Sequence, residues 1–161
     1  MTWLSDLRED LRRDGSTLIT VIPRLLLAPR TQAVALVRLG QASPGLVGPL
    51  ARRLNLTLNG CDISPHAKIG PGLHLPHPVG VVIGPEVVIG ARCTLYHNTT
   101  LGMGGSGSPV LQDDIHIGIG VVAFGGITIG SGARIAPNSV LRIDVPPGSL
   151  AAGAPATLKT R

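Results

Sequence analysis

From residue 61 onward an aliphatic side chain returns at every sixth position. Ile63, Ile69 and Leu75 form one run; Ile83, Ile89, Leu95 and Leu101 form a second; Leu111, Ile117, Ala123, Ile129, Ile135 and Leu141 form a third. Helical periods cannot sustain a strict six. Short strands joined by tight turns can, when each hexapeptide is one side of a triangular coil. The pattern predicts an all-β solenoid, a parallel β-helix of hexapeptide repeats. The aliphatic residue points inward, and the glycine that often follows it permits the turn geometry. The thirteen hexapeptides stack into about four coils, roughly 20 Å tall at about 4.8 Å between strands.

The beat breaks twice. Leu75 to Ile83 spans eight residues, an insertion of two, and Leu101 to Leu111 spans ten, an insertion of four. Insertions in a solenoid map to loops that leave the wall, often on its binding face. The first holds "PHPVG", with His77 between two prolines, and the second holds "GMGGSGSP".

Residues 1–58 follow a different grammar. Leu4, Leu7 and Leu11 share a helical face. Ser5 is a candidate cap, with acids Asp6, Glu9 and Asp10 early, Arg12 and Arg13 late and Gly15 beyond. Further short helices are expected near residues 19–27, 32–38 and 46–54. The division expected is a helical segment over 1–58, a β-helix over 59–145 and a C-terminal tail over 146–161.

Composition sharpens this picture. Hydrophobic residues reach 43% while aromatics supply 2%, so the core is built from Val, Ile, Leu and Ala and must be narrow and regular. Residues 1–60 carry eight Arg against four acids, and the remainder six basic against five acidic residues. The positive excess of the +5 chain therefore sits in the helical segment. No basic run interleaved with aromatics occurs, which argues against a nucleic-acid surface. Cys61 and Cys93 form neither a metal spacing nor a disulfide framework and read as small apolar fillers in a reducing compartment. The acidic N-terminus lacks the apolar region of a signal peptide. The run "LITVIPRLLLAP" is too short and too broken by Pro23 and Arg24 to span a bilayer. The expectation is a cytoplasmic protein without membrane contact.

Among the five histidines, His77 lies where the repeat is interrupted, and Asp62 opens the same set of coils. With one coil near eighteen residues, positions fifteen apart lie close on adjacent turns. An Asp that orients a His, which then takes a proton from a hydroxyl, is general-base catalysis. His97, in "LYHNTTLG", is a candidate to line the site. His66, His74 and His116 fall at repeat positions where solvent exposure is the default. A zinc site would need three converging imidazoles, and no His-x4-His pair is present; no metal is expected. "GMGGSG" matches the dinucleotide fingerprint but lacks the strand before and the helix after that the fingerprint requires. Its backbone N–H groups remain candidates for a ligand.

The stretch "GCDISPHAKIGPGLHLPHPVGVVIG" resembles the serine O-acetyltransferase family of hexapeptide acyltransferases, in a short form. The closing "SVLRIDVPPGSLAAGAPATL" and the opening "LREDLRRD" are similar to the same family. The resemblance implies a left-handed β-helix, a homotrimer with sites between subunits, and acetyl-CoA or another acyl-CoA as co-substrate with no permanently bound cofactor. It implies His77 as general base and Asp62 as its orienting partner, the acceptor hydroxyl attacking the thioester directly and backbone N–H groups stabilising the oxyanion. It points to Pro76, Glu86 and His97 on the acceptor side, and to Gly102, Gly104, Gly118, Ala136 and Lys159 on the acyl-CoA side.

Several positions depart from the family pattern. Pro76 replaces an acid that helps hold serine. The second insertion is shorter, and Ser108 stands where the family has a histidine that, with a preceding arginine, holds the serine carboxylate. Pro85 displaces the glutamate of a "GE" pair to Glu86. Ile119 and Pro137 fill positions that are small alanines along the coenzyme groove, and Pro137 offers no N–H. Lys159 and Arg161 are candidates to meet phosphates. The ending in Arg161, rather than isoleucine, argues against a complex with the cysteine-forming enzyme. The expectation is an acyl-CoA-dependent O-acyltransferase, serine O-acetyltransferase-like, that acylates a hydroxyl acceptor. A sugar or specialised-metabolite acceptor, or a non-catalytic scaffold, is the alternative.

Overall fold

The computed structural model describes residues 3–17, 20–43 and 45–159. Four helices come first: α1 (Trp3–Arg13), α2 (Val21–Leu27), α3 (Pro29–Ala42) and α4 (Val47–Asn59). Ser5 falls inside the first turn of α1 rather than capping it. The helix expected over 32–38 runs through fourteen residues, because Pro29 sits in its first turn, where its missing N–H is no loss. Gly60 ends α4 in the left-handed conformation (φ 65°), its N–H bonded to the Leu56 carbonyl at 3.2 Å.

Short strands follow. They are β1 (Asp62–Ile63), β2 (Lys68–Ile69), β3 (Val82–Ile83), β4 (Val88–Ile89), β5 (Thr94–Leu95), β6 (Thr100–Gly102) and β7 (Val110–Leu111). Then come β8 (His116–Ile117), β9 (Val122–Phe124), β10 (Thr128–Ile129), β11 (Arg134–Ile135), β12 (Val140–Leu141), β13 (Leu150–Gly153) and β14 (Ala156–Lys159). They stack into three faces of a parallel β-solenoid. The first face runs β1-β3-β6-β9-β12, the second β2-β4-β7-β10 and the third β5-β8-β11-β13-β14. Among these strands only the final pair, β13 with β14, is antiparallel. It extends the third face through most of the stretch expected as a tail.

The register shows the two insertions directly. Ile63 pairs with Ile83 and Val88 with Val110, while His116 pairs with Arg134 eighteen residues on. All thirteen aliphatic repeat residues are buried. A second inward column lies two positions earlier, through Cys61, Ala67, Leu73, Val81, Val87, Cys93, Thr99, Ile115, Val121, Ile127, Ala133 and Ser139. Both cysteines are free fillers of that column. Burial pushes the Cys61 thiol up to about 12 and the Cys93 thiol up to about 11.

The glycine after the aliphatic residue has a different reason from the one expected. Gly90 and Gly118 have ordinary φ, but a Cβ on Gly118 would meet the backbone N of Pro137 at 2.7 Å. These glycines let successive coils approach. The left-handed corners lie elsewhere. Between the third and first faces they are Gly80, Asn98, Gly120 and Asn138.

The helical segment is stapled to the first coil by a buried ion pair. Arg38 donates to both carboxylate oxygens of Asp10, at 2.6 and 3.1 Å, and to the carbonyls of Ile69 and Gly70, at 2.7 and 2.6 Å. Asp10 in turn accepts the Leu73 N–H at 2.8 Å. Arg13 reaches the Gly72 and Cys93 carbonyls and the Thr94 hydroxyl. The outer sides of α2 and α4 remain uncovered: Leu27 is 82% exposed and Leu50 59%.

Candidate active site

The first insertion leaves the prism at the corner between the third and first faces. Its ends are tied to the coils on both sides. Gly80 donates to the Gly60 carbonyl at 2.8 Å, and the Val79 carbonyl accepts the Asn98 N–H at 3.0 Å. Pro78 is buried beneath, and His77 stands exposed at the tip. A tethered loop with prolines on both sides of the histidine holds the imidazole in place without burying it.

His97, from the next coil, is the ring neighbour of His77. The centroids are 5.8 Å apart and the planes near perpendicular, at 78°. The Nδ1 of His97 is buried without a hydrogen-bond partner. Pro76 is half-buried beside His77 and offers no polar group to an acceptor.

Asp62 lies on β1, and its carboxylate is held by Arg52 of α4. Nε meets Oδ1 at 2.5 Å and Nη2 meets Oδ2 at 2.9 Å. These hydrogen bonds hold the Asp62 carboxyl below its ordinary range, against the opposing effect of partial burial. Arg52 is a feature that the sequence reading missed. It belongs to the helical grammar, ten residues upstream, and no spacing rule links it to a strand residue.

The second insertion leaves from another corner, between the first and second faces. The N–H groups of Gly104 and Gly107 bond each other's carbonyls, at 2.8 and 3.2 Å, in a miniature hairpin. Ser106 Oγ accepts the Gly126 N–H at 3.0 Å, and the Gly102 carbonyl accepts that of Gly125 at 3.2 Å. The loop is therefore folded against its own next coil, and the Gly104 N–H is already engaged. Ser108 approaches Glu86 at 3.5 Å on the same corner. Glu86 is exposed there, away from the corner that carries His77.

A groove of about 400 Å³ runs along the third face below His97. Tyr96, His116, Gly118, Ile119, Arg134, Ile135, Ala136, Pro137 and Leu150 line it. Gly118 and Ala136 thus meet on one surface. Their N–H groups already bond the Ile135 and Ala151 carbonyls, each at 2.9 Å, so they give the groove room rather than donors. Lys159 pairs in register with Leu150, which places it beside the same face. Arg161 lies outside the described residues. His74 and His116, expected to be exposed, are half-buried on this face; of the three histidines with that expectation, His66 is the exposed one. Among the described residues no cluster of three or more His, Cys, Asp or Glu has metal-site geometry. No helix among them is long and apolar enough to cross a membrane.

No family model matches the chain, but individual proteins do. It is 37% identical over 145 residues to a serine acetyltransferase of Helicobacter pylori, covering 85% of each chain. Its fold matches a soybean serine acetyltransferase complexed with serine with TM-score 0.80 and 33% identity, over 98% of this chain and 68% of that one. It also matches a serine acetyltransferase in complex with CoA, with TM-score 0.83 and 28% identity, over 98% and 68% of the two chains. The solenoid, the helical segment stapled to its first coil and this similarity along almost the whole length agree: the chain belongs to the serine acetyltransferase family.

Proposed function

We propose that this O-acetyltransferase moves the acetyl group of acetyl-CoA directly onto an acceptor hydroxyl, with His77 as the general base. The observation that carries the reading is His77 itself, an exposed imidazole at the tip of a loop tied to both neighbouring coils. A base must reach the hydroxyl proton within hydrogen-bonding distance while its ring stays oriented. In the resting chain Asp62 is bonded to Arg52. Its role is to stabilise the imidazolium that forms on His77, through a carboxylate that Arg52 keeps in place.

Acetyl-CoA lies in the groove through Gly118 and Ala136. There the small residues Gly118 and Ala136 leave room for a narrow chain, and Arg134 and Lys159 supply positive charge for phosphates. The two insertions leave from different corners of one prism, so a site that uses both His77 and the Gly102–Ser108 loop is built by two chains. A homotrimer satisfies this, and the uncovered leucines of α2 and α4 are consistent with subunit contacts.

L-Serine is the first acceptor to test. A different hydroxyl compound is the second reading, favoured by Pro76, which has no group to hold an amine. The test is release of free thiol from acetyl-CoA with L-serine, sugars and other hydroxyl compounds. Turnover with one of them is the expected result. Silence across the panel would favour a scaffold without catalysis.

A further inference from the structure

Beside the catalytic corner, a second groove of about 360 Å³ lies between α4 and the first coil. Arg52, Arg53, Leu56, Asp62, Pro65 and His66 are among its lining residues. Its electrostatics are one-sided: two guanidinium groups and an imidazole face a single carboxylate. Arg52 is 46% exposed and Asp62 29%, so the pair is open to solvent.

The pairing geometry uses only part of Arg52. A guanidinium carries five N–H donors in a planar fork. Asp62 occupies the edge formed by Nε and Nη2. Among the described residues Nη1 makes no hydrogen bond, and Arg53 has no carboxylate partner. Asp62 therefore acts as a mount. It fixes the plane of the guanidinium and leaves the outer edge free for a second oxyanion, which that edge can hold with two parallel hydrogen bonds.

We propose that Arg52 is the receptor for an anionic group on the acceptor, a carboxylate or a phosphate, with Arg53 completing the positive wall and the His66 ring beside it. This rests on the reading of Asp62 and His77 as the catalytic pair, because that reading places Arg52 next to the reacting hydroxyl. The acceptor class that follows is a hydroxyl compound bearing an oxyanion. Arg52 then has two faces, one steadying Asp62 and one reading the substrate.

The test compares acceptors that differ in the anion alone. L-Serine is set against serinol, and glycerol 3-phosphate against glycerol, with wild type and Arg52→Gln. In wild type the anionic member of one pair is favoured in kcat/KM by about tenfold or more, the range of a hydrogen bond to a charged group. Whichever pair shows the gap names the anion. In Arg52→Gln the gap closes to within about threefold, chiefly through KM, as expected for loss of ground-state binding. A gap that survives the substitution overturns the proposal.

A second readout does not need turnover. The arginine Nε–H resonances of wild type are followed during titration with L-serine and with inorganic phosphate, and the Arg52 signal is assigned by its loss in Arg52→Gln. A saturable shift of that signal with either titrant is expected, and no shift with both overturns the proposal. Saturable binding without thiol release from any acceptor would instead refute the catalytic reading and leave the receptor standing.

Discussion

His74 and His116 face outward from the third face of the prism, in one row with Thr94 and Arg134. Both are held below the usual imidazole range. Desolvation is the larger cause for each, followed by Arg13 for His74 and by Arg134 and Arg13 for His116. The folded chain thus resists protonation that the unfolded chain accepts once the pH drops below about 6.5. The unfolded state then binds more protons, so stability falls as the pH is lowered from that point toward the depressed values. The melting temperature should decline between pH 7.5 and 5.5, and His74→Gln with His116→Gln should flatten the decline. An unchanged slope in the double variant would show that other groups carry it. At this scale the sequence was informative only where a residue interrupted a pattern. His77 announced itself by breaking the period. Arg52 did not, because its partner Asp62 lies across the boundary between helix and strand. His74 and His116 were misjudged as exposed because Arg13, far upstream, lies over their row and bonds Thr94.

Among the elements, the solenoid was legible because the same constraint repeats in every coil. A strict six with aliphatic residues admits one geometry. The second inward column escaped notice because it mixes Cys, Ala, Thr, Ser and Val, whose hydropathies differ while their volumes fit one narrow corner. The glycines were visible, but their reason was not. Contact between coils, as at Gly118 and Pro137, joins residues nineteen apart. The attachment of the helices depends on Arg38 and Asp10, whose side chains are each 1% exposed. Arg38→Ala leaves a buried carboxylate uncompensated and two carbonyls without their donor. It should cost about 3–5 kcal/mol in urea unfolding. Replacing both partners, as Arg38→Met with Asp10→Leu, should cost clearly less, since no unpaired charge remains. Equal losses in the two variants would mean that the staple acts through packing alone.

The whole molecule is a narrow prism with an exposed imidazole at one corner, a folded glycine loop at the next and a groove along one face. Its family was readable from motifs that span both the solenoid and the helices. The division of labour between corners was not, because one chain holds the two insertions at different corners, and the proposed site joins them only across two chains. The central claim is that His77 removes the acceptor's proton. It is tested most directly by free thiol release from acetyl-CoA in wild type and His77→Ala, using the acceptor that wild type turns over and checking that both melt alike. The account predicts a loss of about 10²–10⁴-fold in kcat/KM. Activity in the folded variant within about threefold of wild type would contradict it.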